Sequence, residues 1–393
     1  MTQPAPDLSP AEVDAAARLL AQLVACPSVN PTRAVPSGPP YGEGAMARLL
    51  TALVSPLAAE VRTVEISPGR FNFLAHIDGA SPRTLLLEAH ADTVPVDGMT
   101  IPPFEPTVRD GRLYGRGSCD NKASLAAMLL ALRAVCEGGK RPPATVWLAA
   151  TADEELGSTG AHRLMADGFR ADAAVVGEPT GLAVVHAHKG AYRFRVVTHG
   201  RAAHSSDPSR GTSAIAQMTR VVEALEGPVA ARLRQRNHPL LGPPTISVGT
   251  IRGGSQVNIV PARCEIEVDR RTLPGENRDE IARPVVEQLN LLRQADPRFE
   301  YDYEEMEWYP AFEADPHGPL ASHTAAACRA VLGEARIEVV PWAANAGIFY
   351  EAGIPSVLFG PGSIRQAHTA DEWVDLAQVA LAARVYAEII RGF

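Results

Sequence analysis

Thr84-Leu85-Leu86-Leu87-Glu88-Ala89 runs directly into His90-Ala91-Asp92, and the reading of this stretch decides the fold. A short, nearly all-apolar run reads as a strand buried on both faces, the kind that parallel sheets contain. Three more runs end in the same way. Residues 145–152 lead into Asp153-Glu154-Glu155, residues 173–176 into Gly177-Glu178-Pro179, and residues 355–359 into Gly360-Pro361-Gly362, with His368 beyond. Ligands of parallel sheets gather outside the carboxyl ends of the strands. The four runs therefore predict His, Asp and Glu side chains converging on one edge of one sheet.

Working outward, residues 9–187 alternate helical and strand-like segments, with helical spacing at 12–25, 44–58 and 125–137 and a Pro/Ser/Gly-rich loop at 27–41. Such alternation predicts an α/β fold with a mostly parallel sheet. Ser9-Pro10-Ala11-Glu12 marks the first helix start, with Ser9 as cap, Pro10 in the first turn and Glu12 closing a capping box. The order changes near Lys189-Gly190. From there it reads strand (191–199), helix (213–225), strand (245–251), strand (262–272), helix (278–295) and strand (299–308). That is the ferredoxin-like split arrangement. After Pro310 the α/β pattern resumes. The expectation is a catalytic domain in two parts, 1–188 and 309–393, with an inserted α+β lid at 189–308.

At 393 residues the chain is long enough for two domains, and 46% hydrophobic with 21% charged residues is ordinary for a globular enzyme. The net charge of −8 and the lack of a clustered basic face exclude a nucleic-acid partner. The short basic run Arg232-Leu233-Arg234-Gln235-Arg236 reads as a solvated helix face. Five scattered cysteines with no C-x-x-C pair argue against a disulfide framework and a cysteine-zinc site, and fit a reducing compartment. Residues 1–6 lack a basic region followed by an apolar one, and no apolar run reaches the ~18 residues of a membrane span. A cytoplasmic protein with no membrane partner is expected.

Two histidines, several carboxylates and no cysteine suit zinc, cobalt or manganese. The candidates outnumber what one tetrahedral ion needs, so two ions sharing a carboxylate are the natural solution. Asp120, in the turn before the helix at 125, is the best bridge. Adjacent carboxylates on an extended chain point apart, so one of Glu154 and Glu155 can bind metal while the other acts as general base. Asp92 can accept the second N–H of His90 and fix its tautomer. Taken singly, H-x-D is a surface pair, Glu-Glu a solvated face and His368 a turn residue. Four strand ends of this kind together outweigh those readings. His204, in Gly200-Arg201-Ala202-Ala203-His204-Ser205-Ser206, reads equally as a capped turn histidine or a functional one. No phosphate-binding loop, G-x-S-x-G elbow or His-Glu-x-x-His is present.

These blocks, with Gly115-Arg116-Gly117, Gly177-Glu178-Pro179-Thr180 and Gln366-Ala367-His368, resemble the M20 metallopeptidase family over nearly the whole chain. The resemblance implies two zinc ions, one held by His90 and Glu178 and the other by Glu155 and His368, bridged by Asp120 with a cis bond to Asn121. It implies Asp92 as the orienting residue, Glu154 as general base and His204 as the lid histidine that stabilises an oxyanion, often across a dimer. Asn258 and Arg271 resemble lid residues that grip a substrate carboxylate, and Gly362 a backbone contact. The implied activity is deacylation of a small N-acyl amino acid by a homodimer joined through the lid. Stretches such as His186-Ala187-His188-Lys189-Gly190 and His204-Ser205-Ser206-Asp207-Pro208 favour the acetylornithine deacetylase group, hence N2-acetyl-L-ornithine and arginine biosynthesis. Desuccinylase, aminoacylase and carboxypeptidase or dipeptidase specificities are the alternatives, and a non-catalytic metal- or amino-acid-binding protein is the remaining one. Two departures stand out: Asp120-Asn121-Lys122-Ala123 replaces the usual Asp-Met-Lys-Gly, and Asn345 replaces an acidic residue that many relatives carry.

Overall fold

The computed structural model describes residues 8–32, 38–58 and 60–393. Expectations for residues 1–6, and for 33–37 of the loop, lie outside the described residues. The chain packs as two compact units, one of Met1–Ala187, Glu313–Val339 and Ala344–Phe393, the other of His188–Phe312 and Val340–Ala343.

The first unit opens with α1 (Pro10–Val24), α2 (Gly44–Val54), β1 (Glu60–Ser67), β2 (Arg70–Ile77) and β3 (Ser81–His90). A side hairpin, β4 (Thr107–Arg109) and β5 (Arg112–Tyr114), precedes α3 (Lys122–Val135). Next come β6 (Ala144–Thr151), α4 (Thr159–Ala166), β7 (Ala173–Val176) and β8 (Val184–His188). The second unit holds β9 (Gly190–His199), α5 (Ala214–Ala224), α6 (Ala230–Arg234), β10 (Thr245–Gly253), β11 (Arg263–Thr272), α7 (Arg278–Ala295) and β12 (Glu300–Tyr309). The chain then supplies β13 (Phe312–Glu313), α8 (Pro319–Leu332), β14 (Ile337–Val340), α9 (Ala346–Glu351), β15 (Ser356–Leu358), β16 (Trp373–Asp375) and α10 (Leu376–Gly392).

The large sheet runs β1-β2-β6-β3-β7-β15-β8-β13, with β14 beside β8. Its centre is parallel: β3 pairs in parallel with β6 and β7, and β15 with β7. Leu85, Leu86, Leu87, Val175 and Val357 are fully buried there, as strands covered on both faces require. The four apolar runs are thus the ends of β3, β6, β7 and β15, and the α/β expectation holds. Glu12 accepts the Ser9 N–H at 2.9 Å, so the capping box forms as read. Boundaries moved: α2 ends at Val54 and not at 58, and α3 begins at Lys122, three residues earlier than its apolar pattern suggests. Ala123 therefore lies inside a helix and in the core, where glycine's freedom is not needed.

The second unit has the order β10-β11-β9-β12, antiparallel throughout, which is the ferredoxin-like arrangement. Phe194, Ile266 and Val268 pack against Met218, Val221, Ile281 and Val285 of its helices. Its first helix ends where Gly227 and Pro228 enter a π turn at Leu225–Val229 before α6 resumes.

Candidate metal centre

β3 delivers His90 and β6 delivers the Asp153-Glu154-Glu155 turn, because the two strands pair in parallel with His90 opposite Thr151. Asp120 enters from the loop before α3, across a cis bond to Asn121. Its carboxylate faces both imidazoles. Oδ1 lies 2.9 Å from His90 Nε2, and Oδ2 lies 3.5 Å from His368 Nε2. His368 Nε2 is also 3.0 Å from Glu155 Oε2, and Glu154 Oε2 is 4.0 Å from His90 Nε2. Glu178 follows β7 and is buried beside these groups, near enough to Asp120 and Glu154 for their charges to act on it.

The reason that Glu154 and Glu155 diverge differs from the one read from sequence. They do not lie on an extended strand. Asp153 adopts a left-handed conformation (φ 69°) and the following residues form a turn. Asp153 is held there by Asn30 Nδ2 at 3.0 Å, Arg70 Nη1 at 3.0 Å and Thr159 Oγ1 at 2.7 Å. Backbone of this kind costs on the order of 1 kcal/mol outside glycine and persists where surroundings hold it. His368 is likewise left-handed, at φ 61°. Asp92 also acts differently in detail. His90 Nδ1–H donates to the Asp92 main-chain carbonyl at 2.9 Å, while the carboxylate is 3.6 Å away. That carboxylate instead accepts from Asn30 Nδ2 at 2.8 Å and from the Glu154 N–H at 3.0 Å. The result is the same tautomer, with Nε2 of His90 turned to Asp120.

Burial raises the Glu154 carboxyl to about 8, helped by the charges of Glu155, Asp120 and Asp92, though His90 opposes them. Burial likewise raises Glu155 and lifts Glu178 well above the carboxylate range. Hydrogen bonds donated to the carboxylates of Asp120 and Glu155 raise His368 to about 11. Burial would lower His90, yet its bond to Asp120 and the nearby carboxylates hold it well above its usual value. The site gathers more negative charge than two imidazoles balance. Among the described residues, Glu155 Oε1 is buried without a hydrogen-bond partner. A set of two imidazoles and three carboxylates with such a lone pair fits divalent cations of the zinc, cobalt or manganese type.

Sequence reasoning missed the second layer. Glu372 accepts from the N–H groups of Gly117 (2.9 Å), Cys119 (2.8 Å) and Asp120 (3.0 Å), and from Arg116 Nη1 (2.7 Å). It thereby fixes the loop that presents Asp120. Glu43 and Arg70 pair at 2.6 Å behind Asp153. Asn121 Nδ2 donates to the Gly177 carbonyl, tying the Asp120 loop to the Glu178 turn. A Cβ on Gly177 would lie 2.5 Å from Ser124 Cβ, so α3 packs too closely for any other residue. Asn345, buried, donates from Nδ2 to Glu88 Oε1 at 2.9 Å and to Thr151 Oγ1 at 3.1 Å. No local signal marks Glu372, which follows Asp371 in the polar stretch Gln366-Ala367-His368-Thr369-Ala370-Asp371.

His204, Asn258 and Arg271 belong to the second unit. His204 is exposed, and its Nδ1 accepts the Ser206 N–H at 3.2 Å, leaving Nε2 to carry the proton. The Asn258 carbonyl accepts the Ser205 N–H at 3.0 Å, which sets Asn258 beside the His204 loop. Arg271 Nε donates to Asp269 Oδ1 at 2.8 Å. In the first unit, the Gly362 N–H donates to Gln378 Oε1 at 2.9 Å and its carbonyl accepts from Gly181, so both of its backbone groups are engaged.

This combination of a parallel sheet, strand-end histidines and clustered carboxylates is that of a metal-dependent hydrolase. Residues 86–392 match the model for peptidase family M20/M25/M40, and the chain belongs to that family of hydrolytic enzymes. It is 33% identical over 383 residues to an acetylornithine deacetylase of Proteus mirabilis, covering 95% of this chain and 96% of that protein. It is 35% identical over 342 residues to one of Pectobacterium atrosepticum, covering 85% and 86%. In fold it is similar to an M20 metallo-carboxypeptidase of Sulfolobus solfataricus, with a TM-score of 0.78, 20% identity and coverage of 96% and 98%. It is also similar to a dinuclear metal binding M20 peptidase of Bacillus subtilis, with a TM-score of 0.68, 15% identity and 98% coverage of each. Among the described residues, no helix is long and apolar enough to cross a membrane, and all five cysteines are unpaired.

Proposed function

We propose that the chain is a two-metal amidohydrolase that removes the acyl group from an N-acyl amino acid, N2-acetyl-L-ornithine being the substrate that its relatives favour. One observation carries the metal reading: the two oxygens of Asp120 face two different imidazoles, as a carboxylate shared by two ions must. His90 and Glu178 would hold one zinc, Glu155 and His368 the other. Zinc bound there would polarise the substrate carbonyl and acidify a water molecule.

The remaining work falls to side chains. Glu154, turned toward His90 and not otherwise needed as a ligand, takes the proton from water and passes it to the leaving amine. Asp92 keeps the His90 ring in place through its carbonyl. His204, with its proton on Nε2, suits donation to an oxyanion. Arg271 matches a substrate carboxylate bidentately once Asp269 releases it, with Asn258 as a second donor. The Gly362 loop lines the site only if Gln378 yields its N–H. The second unit acts as lid across roughly the span 189–308, and its exposed edge strands β10 and β12 offer a pairing surface for a homodimer. A cytoplasmic role in arginine biosynthesis completes this reading, which the name acetylornithine deacetylase on its relatives supports for the substrate.

The test compares zinc-loaded protein on N-acetyl-L-ornithine, N-succinyl-diaminopimelate and N-acetyl-methionine. A preference for acetylornithine that chelation abolishes is expected. Faster turnover of another substrate keeps the mechanism and discards the arginine assignment. Metal-independent turnover, or none on any acyl amino acid, overturns the reading.

A further inference from the structure

Strand β11 alternates, and Cys264, Ile266, Val268, Arg270 and Thr272 occupy its buried positions. Arg270 breaks the apolar side of that pattern: its guanidinium is 1% exposed. Nη2 donates to Glu276 Oε1 at 2.7 Å and Nη1 to the Arg271 carbonyl at 2.7 Å. Nε has no partner among the described residues. The same Glu276 oxygen also accepts from Arg236 Nη1 at 2.6 Å, while Oε2 accepts the Leu273 N–H at 2.7 Å. One carboxylate oxygen thus serves two guanidiniums. Burial lowers the pKa of Arg270, and the charge of Arg236 works in the same direction against Glu276.

Arg236 and Arg270 line a pocket of about 290 Å³ between α6, β11 and α7, whose other charged walls are Arg232, Arg283 and Glu280. Arg232 pairs with Glu287 at 2.9 Å. Four cations therefore meet three carboxylates, Glu276, Glu280 and Glu287, and positive charge is left over. The basic run at 232–236 is solvated as read, all three of its arginines being exposed, and two of them, Arg232 and Arg236, border this pocket.

We infer that the pocket is a binding site for a multivalent oxyanion of the phosphate class. Arg232 and Arg283 are exposed at its rim, and Arg270, whose Nε has no partner among the described residues, lines it. Guanidinium forks match the oxygens of such an ion, and the ion gives Arg270 and Arg236 the acceptor they otherwise share.

Isothermal calorimetry with inorganic phosphate tests this on the metal-loaded full chain and on the double variant Arg232→Ala/Arg283→Ala. Phosphate bound at the metal centre appears in both proteins and cancels in the comparison. The expected result is a binding event in the wild type that weakens about tenfold or more in the variant, the scale of one lost charge-assisted hydrogen bond. Arg270→Met should abolish it, with circular dichroism reporting whether that variant folds; if it does not, the double variant decides alone. Identical isotherms for wild type and double variant overturn the site. So does equal displacement of phosphate by chloride at matched ionic strength, which would reduce the effect to screening.

Discussion

Two clusters of buried charge invite comparison. The first unit gathers Asp92, Asp120, Glu154, Glu155 and Glu178 around two imidazoles. The second sets Arg270 and Arg236 on Glu276, with Arg232 and Arg283 lining the same pocket. In the acidic cluster, nearly every group is gripped from behind: Asp92 by Asn30, Asp153 by Arg70, and the Asp120 loop by Glu372. In the basic cluster, only Arg270 and Glu276 are buried, and the other arginines reach in from solvent. A site that must place several ligands within tenths of an ångström needs the first construction. A site that only needs to attract charge can use the second.

The sharpest way to break this contrast is Glu154→Ala. Loss of a general base should reduce kcat about 10²–10⁴-fold, while the metal content measured by atomic spectroscopy stays at the wild-type level. Full activity in this variant would remove Glu154 from the mechanism. Next, Arg70→Met leaves Glu43 and Asp153 buried without the cation they share, and should cost about 3–5 kcal/mol in urea unfolding. Arg270→Met should cost about 1 kcal/mol or less, because Arg236 remains on Glu276 and a buried cation is replaced by an apolar chain. Equal losses from the two variants would erase the distinction. Glu372→Gln comes between them, at roughly 2–3 kcal/mol, with metal affinity falling too as the Asp120 loop loosens.

The smallest effect belongs to an exposed pair used as a scale. Arg384, aided by Ser9, lowers the Glu12 carboxyl from 4.5 to about 2. A depressed acid stabilises the fold above its unfolded value and loses that contribution as pH falls from 4.5 toward 2. Arg384→Ala should flatten the urea midpoint over that window by under about 1 kcal/mol, since the Glu12 side chain is 38% exposed.

How far each cluster could be read from sequence follows the same division. His90, Glu154, Glu155 and Glu178 were legible because a strand end is a local pattern, and parallel pairing then brings the ends together. The capping box at Ser9 was legible for the same reason. Asn30, Glu43, Arg70 and Glu372 were not, because each meets its partner only after distant segments have packed; Glu372 and Asp120 are 252 residues apart. The left-handed Asp153 was hidden as well, since tertiary hydrogen bonds and not its neighbours impose it. Asn345 looked like a lost charge in the site, whereas its amide is spent on Glu88 and Thr151 inside the fold. Arg270 hid behind its own alternation: a charged residue at a core position signals a partner without saying which.

The grip of Glu372 on the Asp120 loop has a consequence for synthesis on the ribosome. His90, Asp120, Glu154, Glu155 and Glu178 all emerge before residue 188, whereas His368 and Glu372 emerge nearly last. A nascent chain therefore carries a concentration of negative charge with neither its second imidazole nor the brace on its central carboxylate. Completion of the centre therefore waits for the last segment of the chain. A chain halted before residue 368 would display much of the sheet and yet lack one of the two imidazoles of the candidate metal centre.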